Sequence, residues 1–413
     1  MAAPSLAVLA CFGPQYDPDL FFYTSGALNW EPGRPPLYTM FLSVCRRLWP
    51  SPYFPVLLQI GLWAVAARAL LETAFDDGRI RRAAALFLAF EPVGMYYRMS
   101  LLSEGLFEPA LLWQTTFLLR GRRFWAGVAG GTALMTRYAA LFCLPLWIRS
   151  ALCRRPDPAA QENRRTRRTI CPNALWGPAI AAIIIVAGHA RTSGGATGPG
   201  AFLSYHLRPE IPECPVPDTL PRDEIAFRHA ECLAARFAQH PPHVAKVKAD
   251  SVLLHRSLTA FTINPFVAYA RHLKQNLKNI FTNNRLDYRN NEIGFEQQTY
   301  RELDELAFRL YGLERRVWKI WTYPSVWNVW MSVFWLGLTL VALISLRRGE
   351  KISSLLAWSV APVVLMIISP VPYKTRFAAP WMGLAIVWAF DVVFAKADSP
   401  DANDGHILSR RLF

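Results

Sequence analysis

At 413 residues, with 53% hydrophobic and only 18% charged residues, the chain is more apolar than an ordinary globular protein. Its net charge of +15 comes almost wholly from arginine, since only eight lysines occur. The basic residues cluster between apolar runs rather than along one polar face, which argues against a nucleic-acid-binding protein. Fifteen Trp and 25 Phe, many near the ends of those runs, suit the aromatic belts of a membrane protein.

Residues 3–13 are apolar but shorter than the roughly 20 residues a span needs. They read either as a truncated first span or as a start site placed too late. There is no basic leader with a small-residue cleavage site, so a cleaved signal peptide is not expected. Two carboxylates, Asp17 and Asp19, follow at once, and Gly33-Arg34-Pro35-Pro36-Leu37-Tyr38 opens the next apolar stretch. Acids this close to long apolar spans are costly unless they face water or take part in chemistry.

Further spans are predicted over residues 53–73, 82–97, 103–119, 124–136, 138–152, 170–189, 323–346, 353–370 and 377–395, about nine or ten in all. The pair around Arg137 is short, and one long kinked span with a buried arginine is the alternative. The connections on one side hold Arg79, Arg81, Arg82, Arg120, Arg122, Arg123 and the arginines from Arg149 to Arg168. Arg347, Arg348, Lys351, Lys396, Arg410 and Arg411 join them. The other side holds only Arg34, Arg46, Arg47, Arg98, Arg137, Lys374 and Arg376 in short loops. The positive-inside rule makes the first side cytoplasmic and puts Asp17, Asp19 and Glu104 on the exoplasmic face.

The expected fold is therefore an all-α polytopic membrane protein. Residues 1–189 form an N-terminal transmembrane part whose first exoplasmic loop is 14–52. Residues 190–321 form an exoplasmic, mainly helical loop domain, 322–396 a second transmembrane part, and 397–413 a cytoplasmic tail. In the loop domain a Gly/Pro-rich stretch to Pro221 precedes a helical pattern over 223–280, interrupted by a loop at His240-Pro241-Pro242-His243, and an amphipathic helix over 303–318. Seven Cys show no metal-ligand spacing. Cys214 and Cys232 fall in the loop domain, where a disulfide and two free thiols are equally open.

Four motifs now stand in order on one topological side. Asp19-x-x-x-Tyr23-x-x-x-Ala27 with the Pro-Pro-Leu turn is the first, and Ser103-Glu104 after Tyr97-Arg98 the second. Thr136-Arg137-Tyr138 followed by Leu144-Pro145-Leu146 is the third, and Lys374-Thr375-Arg376-Phe377-Ala378-Ala379-Pro380 the fourth. Together they resemble the GT-C membrane glycosyltransferases, in the protein-mannosyltransferase-like, family 39-like branch that includes the lipid A aminoarabinose transferases. The resemblance implies a GT-C-like bundle in a bacterial inner membrane, active on the periplasmic side. It implies an inverting transferase that moves a sugar from a polyprenyl-phosphate donor to a glycan, lipid or protein acceptor.

On that resemblance Asp19 is the catalytic base, with Asp17 its substitute and Glu104 a further catalytic candidate. Arg98, Arg137, Lys374 and Arg376 are donor-phosphate ligands, since guanidinium groups suit phosphate oxygens. Tyr23, Arg34 and Tyr38 line the substrate site. No specific cofactor is assigned; a divalent cation is left open, although Asp17 and Asp19 are too few ligands by themselves. Each residue also has a plainer reading. Asp17 and Asp19 can be solvated loop acids, Glu104 a first-turn acid favoured by the helix dipole, and Arg137 the buried partner of an acid. Arg98 and Arg376 can snorkel toward the interface. A transporter or flippase for a lipid-linked or anionic substrate would use the same charges without a base, although no internal repeat supports it.

Overall fold

A computed structural model describes residues 1–14, 35–152, 175–192, 211–216, 222–240, 242–263, 269–270, 273–274, 277, 324–347, 361–364 and 375–394. Among them the regular structure is helical, with no β-strand. The N-terminal helices are α1 (Ala3–Phe12), α2 (Leu37–Leu48), α3 (Tyr53–Ala74), α4 (Gly78–Phe90), α5 (Pro92–Arg98), α6 (Glu104–Leu119) and α7 (Arg123–Thr136). A 3-10 segment, Tyr138–Cys143, leads into α8 (Leu144–Leu152) and α9 (Trp176–Thr192). Then come α10 (Arg222–Arg236), α11 (Pro242–Ile263), α12 (Pro324–Arg347) and α13 (Thr375–Phe394). One described helix, α3, is by itself long and apolar enough to cross a membrane.

The chain breaks at two places for local reasons, the first inside a predicted span and the second between two predicted ones. The stretch 82–97 breaks at Glu91, because Pro92 lacks an amide hydrogen and disfavours helical geometry at the residue before it. The Glu91 carboxylate then caps α5 by accepting from the Val93 and Gly94 amides. The second break falls at Arg137, whose extended backbone separates α7 from the 3-10 segment, so the single kinked span does not form. In the loop domain, the pattern over 223–280 gives α10 and α11 as far as Ile263, with turns at 237–240 after the first helix, and most of 264–280 lies outside the described residues. The amphipathic helix expected over 303–318 lies outside the described residues, as does most of 353–370.

Helix α6 is the centre of the bundle and packs on α3, α7 and α13. Their shared core holds Trp63, Leu70, Phe107, Leu111, Leu112, Leu134, Trp147 and Trp381. Phe107 and Trp381 meet edge to face at 5.0 Å. Helices α7 and α9 cross closely because glycines face each other: a Cβ on Gly131 would stand 2.7 Å from the Gly177 carbonyl oxygen. Such small-residue contacts let helix backbones approach closely.

The ends of the helices are tied in pairs. Arg120, after α6, donates from Nε to Thr73 Oγ1 at 2.9 Å and so binds the last turn of α3. At the opposite end of α6, Glu104 meets Arg137 beyond the end of α7. Thus α3 and α6 run parallel, and α7 runs antiparallel to α6. A separate pair, α10 and α11, packs around Ile211, Cys214, Leu233, Ala249 and Leu253. Here Cys214 and Cys232 form a disulfide, and Arg256 pairs with Glu213.

Candidate functional site

The turn between α5 and α6, residues 99–103, is held from three directions. Gln59, on α3, is fully buried and donates from Nε2 to the Ser100 carbonyl at 3.0 Å and the Arg98 carbonyl at 3.3 Å. Its Oε1 accepts from the Tyr38 hydroxyl at 3.1 Å. The path of Gln59 requires Gly105, since a Cβ there would collide with the Gln59 amide. Ser100 Oγ closes the turn on the Tyr96 carbonyl at 2.7 Å.

The far end of this turn carries the site. Arg137 Nη1 lies 2.6 Å from Glu104 Oε1 and donates to Ser103 Oγ at 2.9 Å. Ser103 in turn donates to Glu104 Oε2 at 3.3 Å. The Glu104 side chain is wholly enclosed, whereas that of Arg137 is 11% exposed, so the guanidinium forms the outer layer of the cluster. A serine, a carboxylate and an arginine converging at one helix end can orient an anionic group that approaches from outside.

Beneath it lies a second ionic cluster that the sequence reading did not anticipate. The Arg98 guanidinium sits 3.7 Å from the Trp63 ring centroid, with Glu108 at 3.5 Å and Glu91 at 3.8 Å. Trp63 Nε1 donates to Glu108 Oε1 at 2.9 Å. All four side chains are buried. Charges survive inside an apolar bundle only when paired and hydrogen-bonded in this way. The clusters share an architecture, because Glu104 and Glu108 stand one turn apart on the same face of α6.

The structure gives two expected ligands other surroundings. Arg98, expected to bind phosphate, is 1% exposed and faces two carboxylates, which would repel an anion. Tyr38, expected to line the substrate site, is buried completely and spends its hydroxyl on Gln59. Glu104 and Arg137 come together, as the acid-pairing reading of Arg137 requires. Arg376 lies in the first turn of α13. Asp17, Asp19, Tyr23, Arg34 and Lys374 lie outside the described residues. Among the described residues no three His, Cys, Asp or Glu side chains converge as cation ligands would.

Gln59, Glu91 and Glu108 carried a signal that went unused. Each is a polar residue inside or at the end of an apolar run, and such residues face the interior of a helical bundle. No family model, curated protein or solved structure matches the chain.

Proposed function

We propose that the chain is a polytopic helical membrane glycosyltransferase of GT-C type, acting on the periplasmic face of a bacterial inner membrane. The membrane part of this reading is supported by an inverted polarity. Leu57, Leu62 and Val65 on α3, Phe87 on α4, Ile183 on α9 and Leu336 on α12 are exposed, while Gln59, Glu91, Arg98, Glu104, Glu108 and Gln114 are buried. A water-soluble bundle places these residue types the other way round. The disulfide of the loop domain supports an oxidising compartment for residues 190–321, in line with the arginine count.

The observation that carries the transferase reading is the meeting of Ser103-Glu104 with Arg137, two motifs far apart in the chain. In the proposed reaction Asp19 takes the proton of the acceptor hydroxyl as that oxygen attacks the anomeric carbon of the donor sugar. The bond from that carbon to the phosphate oxygen breaks, with inversion, and the electron pair leaves with the polyprenyl phosphate. Arg137, Lys374 and Arg376 stabilise the departing phosphate. Glu104 orients Arg137 in this scheme, and Arg98 holds the turn beneath it. The acceptor is a glycan, lipid or protein.

Membranes carrying Asp19→Asn test the reading. The variant inserts normally and loses sugar transfer from polyprenyl-phosphate donors; undiminished transfer removes Asp19 as the base. The buried Glu91–Arg98–Glu108 cluster favours a second reading, a carrier of a lipid-linked or anionic substrate, because intramembrane ion clusters are typical of transport paths. Proteoliposomes decide between them: vectorial movement of the substrate without transfer establishes the carrier.

A further inference from the structure

Helix α2 has three faces. Tyr38, Leu42 and Cys45 are buried against the bundle. Met40, Val44 and Leu48, spaced by four, form an apolar stripe that is 53%, 53% and 72% exposed. Between these lies a polar sector with Thr39, Ser43, Arg46 and Arg47. Arg46 and Arg47 are exposed, and neither pairs with an acid among the described residues. The helix dipole favours cations in this last turn but leaves their charge facing outward.

At 12 residues the helix is about 18 Å long, well short of the roughly 30 Å of a hydrocarbon core. Trp49 and Tyr53 continue its exposed side, and Leu57 and Leu58 carry the apolar surface onto α3. An apolar stripe beside a basic sector, with aromatic rings at the junction, is the pattern of a helix lying in the plane of a bilayer interface.

We propose that α2 is an interfacial helix that binds the headgroup of an anionic phospholipid. Arg46 and Arg47 hold the phosphodiester, and Met40, Val44 and Leu48 lie against the upper acyl chains. Charge complementarity selects this occupant over a zwitterionic lipid, since two exposed arginines with no acid partner among the described residues stand beside the stripe and favour a net negative ligand. The inference rests on the membrane reading and is independent of the transferase reading.

The test uses the full chain purified in detergent, exposed to equal amounts of phosphatidylglycerol and phosphatidylcholine, with bound lipid counted by native mass spectrometry. The wild type prefers phosphatidylglycerol, and Arg46→Gln and Arg47→Gln each lower that preference about fivefold. Arg46→Lys with Arg47→Lys retains it. An unchanged ratio in the double glutamine variant overturns the proposal, as does equal binding of both lipids by the wild type. Displacement of the lipid by equimolar sn-glycerol 3-phosphate overturns it too, because the apolar stripe would then contribute nothing. Retention of the chain in carbonate-washed membranes is measured in parallel, so that a failure of the membrane reading registers separately.

Discussion

Arg137 Nη1 stands 2.6 Å from Glu104 Oε1, joining the residue just past α7 to the first residue of α6. The contact closes one end of an antiparallel helix pair and leaves the arginine at the rim of the bundle. Removing one partner takes the opposite charge away from a largely enclosed group. Glu104→Gln and Arg137→Leu are each expected to cost roughly 3–5 kcal/mol, and the double variant much less than their sum. Thermal unfolding in detergent of the three variants checks this; strict additivity would mean that the pair does not act as a unit.

Gln59 joins α2, α3 and the turn before α6 through three hydrogen bonds. Gln59→Leu removes the three hydrogen bonds that tie these elements together and is expected to destabilise by about 1–3 kcal/mol in all. Hydrogen exchange of residues 99–103 should rise in that variant while α7 and α9 keep their protection.

The crossing of α7 and α9 depends on the absence of side chains. Gly131→Ala places a methyl group against the Gly177 backbone, and Gly177→Ala meets the Gly127 carbonyl. Each forces the helices apart at a cost of roughly 1–3 kcal/mol. The same change at Gly61, which has open space around its Cβ position, stabilises by about 1 kcal/mol through helix propensity. Melting temperatures of the three variants should separate in that order.

Cys214–Cys232 ties the segment before α10 to that helix. Cys232→Ser is expected to cost the α10–α11 pair about 3 kcal/mol. The location of the bond is tested by thiol trapping during synthesis: the pair is reduced before translocation and oxidised after it. An alkaline phosphatase fusion in this segment that stays inactive would place it on the cytoplasmic side instead.

His229 is buried in the same helix pair, and desolvation holds its imidazole below the usual value of 6.5 even though it bonds the Cys214 backbone. The unfolded chain therefore takes up a proton at a pH where the folded one does not. Stability is full above about pH 6.5 and falls as the pH drops toward the folded value. Unfolding of the helix pair followed by circular dichroism should show this loss, and His229→Asn should flatten it.

Several helices were legible because their apolar runs are long and end at clear stops. The predicted 53–73 becomes Tyr53–Ala74, and 124–136 becomes Arg123–Thr136. The break at Glu91-Pro92 was written in the chain too, since proline constrains its own residue and the one before it. Reading 82–97 as one span gave hydropathy precedence over that local geometry.

What the sequence alone determined is local: which segments are helical, which are apolar, and where along the chain arginine clusters. Backbone sterics, side-chain polarity and charge act residue by residue, so they can be read in one dimension. Only the tertiary structure decided the partners. Arg98 and Arg137 are equivalent as sequence, two arginines near helix ends. Packing α6 between α3 and α7 encloses the first between Glu91, Glu108 and Trp63 and leaves the second at the rim on Glu104. An arginine's role follows from which charges the fold brings within a few ångströms of it: Glu91 and Glu108, near in the chain, for Arg98, and Glu104 from across a helix pair for Arg137.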